Sequence, residues 1–154
     1  MSDSTYSQPL PNEKAAAAAT GYYANGKVVE GKWHIYPELA AAGLWTTPCD
    51  LARFAIGIQR TLAGTTNLVI SPSMMREMLT DQGESDGLGV FLIGQGATQR
   101  FVHNGRDEGF DAVMMGYART GQGAAILINA NDDSGLLGRV LEAIARDYHW
   151  PDFH

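Results

Sequence analysis

The apolar positions follow two successive periods along the chain. From Leu51 to Leu62 they recur at helical spacing: Leu51, Phe54, Ala55, Ile58 and Leu62 stand at i, i+3, i+4, i+7 and i+11. One helix face is therefore predicted to be buried, with Arg53 and Arg60 outward. Thr47-Pro48-Cys49-Asp50 marks its start, with threonine as N-cap, proline at the first helical position and an acid at the positive end of the helix dipole. Ser71-Pro72-Ser73 repeats the signal for a shorter helix carrying Met75, Met78 and Leu79. Helices are thus expected over about 48–63 and 72–80.

From Gly87 the period becomes that of strands, over Gly87 to Ile93, Gln99 to Asn104, Asp111 to Ala118 and Ala124 to Ala130. Their links are short and carry glycine. A parallel connection needs a crossover of about a dozen residues, so these four strands (about 87–130) must form an antiparallel meander. A last amphipathic helix, from about Gly135 to Tyr148, is predicted to place Leu137, Val140, Leu141 and Ile144 on that sheet, giving an α+β class. The N-terminal region reads as loop-rich. Ala15 to Ala19 are too few to hold a helix unaided, and Asn25-Gly26 predicts a short hairpin with a type I′ turn.

Composition narrows the class. With 154 residues, 45% of them hydrophobic and 18% charged, residues 1–154 read as a single globular domain without repeat or linker. The net charge of −6 and scattered basic residues argue against nucleic acid and against anionic membrane surfaces as partners. No stretch has the length of a membrane span, and the start of the chain lacks the basic and apolar regions of a secretory signal, so the chain as written is expected in the cytoplasm.

Candidate chemistry centres on His103-Asn104-Gly105-Arg106-Asp107-Glu108-Gly109-Phe110. A titratable side chain at a strand end, followed by glycines that admit close approach, suits a substrate-binding edge. On the local pattern alone, a half-exposed histidine beside a tight turn is the plainer reading. Cys49, the single cysteine, lies at a helix N-terminus that would favour a reactive thiolate, although a buried structural thiol is the simpler account. No zinc spacing exists. Asn129-Ala130-Asn131-Asp132-Asp133 fails as a calcium loop, because its glycine comes one position late and Val140 replaces the bidentate glutamate. No cofactor or metal is expected.

Taken together, Gly21-Tyr22, the segment Ala41-Ala42-Gly43-Leu44-Trp45-Thr46-Thr47-Pro48, Gly87-Leu88-Gly89-Val90 and His103-Asn104-Gly105 before Gly109-Phe110 resemble, in order, landmarks of one family. It is the serine β-lactamase, penicillin-binding protein and β-lactamase-like esterase family, in its His-x-Gly variant. The resemblance implies a partial β-lactamase/transpeptidase-like fold and acyl transfer on a β-lactam, peptide or ester. It also implies that His103 steers the substrate, that Gly105 leaves it room, and that Arg106 supplies a backbone N–H to the oxyanion hole.

The nucleophile of that family is absent. Its Ser-x-x-Lys cannot be found, because the residues three before Lys14, Lys27 and Lys32 are Pro11, Ala24 and Val29. Tyr23-Ala24-Asn25 spells the family's Tyr-x-Asn but falls in a predicted turn, where it reads as coincidence. The resemblance thus covers the C-terminal portion of the family, a truncated form expected to be inactive alone. Three alternatives follow: a portion complemented by an N-terminal half, a non-catalytic ligand-binding or self-associating module, and an enzyme rebuilt around Cys49. The strand from Ala124 to Ala130 is expected to be an apolar, unblunted edge, which predicts a dimer.

Overall fold

The computed structural model describes residues 1–66 and 70–153. The N-terminal third is mostly irregular but contains two single-turn helices, α1 (Asn12–Ala15) and α2 (Leu39–Ala42), where loop was expected. The first begins after Pro11 and stops within the alanines, so the alanine run does not propagate it. The Tyr22–Val28 bridge confirms a hairpin at Asn25-Gly26. Its turn is not type I′: Gly26 alone takes a positive φ, of 80°, and its N–H donates to the Tyr23 carbonyl, so Gly26 follows an ordinary turn as a bulge.

Helix α3 (Pro48–Leu62) starts where Thr47 accepts a hydrogen bond from the Asp50 N–H, and α4 (Pro72–Met78) where Ser71 accepts one from Met74. Both proline-led caps therefore act as read. Asp50 is fully buried; its carboxylate accepts from the Ser4 hydroxyl, the Asp3 N–H and Arg53. Burial raises its pKa but these donors outweigh it, so the group is held below the usual carboxylate range. The first residues of the chain are thereby tied to the start of α3, beside the Thr5–Trp45 bridge.

The sheet is the expected antiparallel meander, in the order β1 (Phe91–Ile93), β2 (Arg100–Asp107), β3 (Phe110–Tyr117), β4 (Gly123–Ile128). Helix α5 (Leu136–Asp147) follows. Alternation assigns the two faces. Phe101 and Met114 join Leu92, Ile58, Met75 and Leu79 in the core under α3 and α4. Met115, Tyr117 and Val102 meet Leu141, Ile144 and Ala145 of α5, and Trp150 closes that side.

Two strand boundaries differ from expectation by three residues or more. Gly87 to Val90 do not join β1; they fold back on themselves, with Gly87 N–H bonded to the Val90 carbonyl and Gly89 at φ 77°. Strand β2 runs three residues past Asn104, because Gly105 stays extended and the reversal waits for Gly109, at φ 83°. The Gly94-Gln95-Gly96 turn leads into a 3-10 turn at Gly96–Thr98.

Candidate functional site

His103 is not at a strand end. It sits inside β2, opposite Met114, with its side chain exposed. Phe101, on the same face two residues earlier, is completely buried under α3 and α4, so the cover ends between the two. His103 and Gly105 follow one another along this uncovered stretch, and Asp107, next on the same face, is half-buried. A Cβ on Gly105 would meet nothing within 4 Å, so this part of the face is open space.

Arg106 points to the opposite face. It forms a bidentate pair with Asp111, its cross-strand neighbour, through Nε at 2.9 Å and Nη2 at 2.7 Å, and reaches Asp133 at 3.1 Å and the Asp132 carbonyl at 3.0 Å. Asp111 is only 6% exposed. Burial pushes its carboxyl up, but Arg106, the Asp132 N–H and Asn131 together hold it below the usual range. The hydrogen bonds to Asp111 and Asp133 push the Arg106 guanidinium up, the one to Asp111 being the main cause. Two residues that sequence reading did not single out, Asp111 and Tyr36, thus complete the hairpin together with Asn131 from the segment rejected as a calcium loop. Asn131 accepts the Gly109 N–H and donates to the Asp107 carbonyl, and the Tyr36 hydroxyl accepts the Glu108 N–H. Asp132 receives the N–H groups of Ser134 and Leu137, so it turns the chain toward α5 and takes up an N–H of that helix's first turn.

The glycines of two sequence landmarks meet here. A Cβ on Gly109 would lie 2.8 Å from the Gly21 Cα and 2.6 Å from a Val29 methyl. The β2–β3 turn and the Gly21-Tyr22 segment therefore touch backbone to backbone, and Tyr22 also bridges Ala130. An aromatic row of Trp33, Trp45 and Phe110, with centroids 5.2 Å and 6.0 Å apart, flanks the contact.

Between these segments lies a cleft of about 640 Å³, walled by Tyr23, Asn25, Tyr36, Arg106, Asp107 and Glu108 among others. Tyr23-Ala24-Asn25, read as a turn, is part of its rim. A second hollow of about 450 Å³ lies between α5 and the sheet, beside Gly105 and Arg106. Cys49 is exposed rather than buried: the first turn of α3 turns it away from the core. Among the described residues, no group of three His, Cys, Asp or Glu side chains could hold a metal, and no helix is long and apolar enough to cross a membrane.

No family model and no curated protein matches the chain. Among solved structures it is similar to the D-amino acid amidase from Ochrobactrum anthropi SV3 complexed with D-phenylalanine, with a TM-score of 0.62 and 22% sequence identity. The match covers 93% of this chain and 49% of that one, so the chain spans about half the length of the amidase. The α+β arrangement of a four-stranded antiparallel sheet between helices is accordingly a partial β-lactamase/transpeptidase-like fold.

Proposed function

We propose that this chain is the C-terminal portion of a β-lactamase-like serine hydrolase. It carries the strand that faces the substrate, and the nucleophile must come from elsewhere. The observation that carries this reading is the similarity to an amidase that takes in nearly all of this chain and only about half of the other. The reaction is acyl transfer on an amide, peptide, β-lactam or ester. His103 and Gly105 lie on the open stretch of β2, His103 to orient the substrate and Gly105 to leave it room, with the Arg106 N–H stabilising the oxyanion. Hydrolysis needs a serine whose proton a neighbouring base removes, and this chain has no Ser-x-x-Lys to do so.

Incubation with a β-lactam, an activated ester or D-phenylalanine amide is therefore expected to leave the intact mass of the chain unchanged. A stoichiometric acyl group on one of its serines would overturn the reading. A second reading, a self-associating module, is favoured by the position of β4 as the outermost strand of the sheet.

A further inference from the structure

The cleft beside the β2–β3 turn has a chemistry of its own. Its charged walls are Arg106, Asp107, Glu108 and Asp133. The guanidinium is already spent, bidentate on Asp111 and bonded to Asp133. The carboxylates of Asp107 and Glu108 both lack a hydrogen bond or ion pair among the described residues, but Glu108 is exposed whereas Asp107 is more than half buried. Burial alone lifts its pKa. An anion kept from water without a counter-charge costs free energy that a bound cation would recover.

The remaining wall is aromatic and polar. Tyr23, Tyr36 and Asn25 line it. The Tyr36 hydroxyl is held in place by the Glu108 N–H at 2.9 Å, which anchors this side chain beside Asp107. Two tyrosine rings and an unpaired carboxylate lining one hollow combine the two attractions an ammonium group finds in proteins: charge–charge contact and the negative face of an aromatic ring. A carboxylate or phosphate ligand would meet repulsion, because the only cation present is already neutralised.

We infer that this cleft binds an organic ammonium group, its charge on Asp107 and its carbon skeleton against Tyr23 and Tyr36. The inference goes beyond the hydrolase reading and does not depend on it, since no residue of the cleft needs a nucleophile to bind. Asp107 lies four residues beyond His103 on the same face of β2, about 13 Å along the strand. A ligand reaching both would be an extended one, with its amine at the Asp107 end.

The test uses the whole chain, its amide signals followed by NMR during titration with benzylammonium, with benzyl alcohol and benzoate as the neutral and anionic counterparts. Benzylammonium is expected to move the amides of Asn25, Tyr36, Asp107 and Glu108 along one saturable curve, and the other two probes are not. Asp107→Asn removes no bond that the fold uses, so the variant is expected to stay folded and to weaken binding by about tenfold. Benzyl alcohol shifting the same amides with equal affinity would reduce the cleft to an apolar hollow and overturn the inference. So would saturable benzylammonium binding that Asp107→Asn leaves unchanged, or the absence of any saturable shift at tens of millimolar.

Discussion

Two aspartates of one hairpin stand in opposite electrostatic situations. Asp111 is buried, but it receives Arg106, Asn131 and the Asp132 N–H, and its pKa lies below the ordinary value. Its contribution to stability is therefore complete above the unfolded carboxylate pKa of about 3.9 and is lost as pH falls through the lower folded value. Asp111→Asn removes the charge that Arg106 needs and is expected to cost about 1–3 kcal/mol at pH 7, less below pH 4, as read by urea unfolding. Asp107 carries the reverse sign. Its folded pKa is raised, so its ionisation opposes folding above that value, and the penalty disappears once both states are protonated. Asp107→Asn is expected to leave stability equal or higher at pH 7; a loss of more than 1 kcal/mol would show a partner for this carboxylate. Glycine makes the same contrast. Gly109→Ala forces a side chain into a left-handed conformation and against the Gly21 backbone, and is expected to cost more than about 2 kcal/mol. Gly105→Ala meets open space and is expected to change stability by less than about 1 kcal/mol, a difference that paired melting curves would reveal.

Among the elements, the β2–β3 hairpin organises the rest. Its turn is locked from three sides, by Asn131 from the segment after β4, by Tyr36 and by Gly21. Strand β4 is less well enclosed. Among the described residues no strand pairs with its outer side, and Ala124 to Ile128 are all half-buried. Helix α5 shows the same shortfall, since Ala145 is its one fully buried residue despite the apolar stripe of Leu137, Val140, Leu141 and Ile144. Ladder hydrogen bonds on the outer side of β4 have no partner in the sheet, so alternate amides of Gly123–Ile128 are expected to exchange with deuterium faster than those of β3. Equal protection in both strands under monomeric conditions would mean that β4 is covered.

For the whole molecule, an apolar, uncharged edge such as Ala-Ala-Ile-Leu-Ile is a template for strand addition. We propose that the isolated chain associates through it, most simply as a twofold pair. Sedimentation at tens of micromolar is expected to show a dimer in exchange with monomer. A single monomeric species at that concentration, together with slow exchange along β4, would remove the self-associating reading and leave the complementing portion as the account of this edge.

Much of this architecture was already decided locally. Thr47-Pro48 and Ser71-Pro72 start their helices because capping needs only neighbouring residues, and the meander follows from links too short for any other topology. The landmark order that pointed to a β-lactamase-like fold was likewise present in the residues themselves. Tertiary structure alone decided where β2 ends: Gly105 looked like a turn, yet pairing with Ala112 keeps it extended, and the reversal falls at Gly109, which must fit against Gly21. It also decided that Cys49 faces outward, and that His103 lies on an open stretch instead of at a strand tip. The Arg106, Asp111, Asn131 network and the Tyr23–Tyr36 cleft join residues far apart in the sequence, from Tyr23 to Asp133. No periodicity or spacing encodes such meetings, because they arise from how packed elements cross and not from any residue's preference for its neighbours.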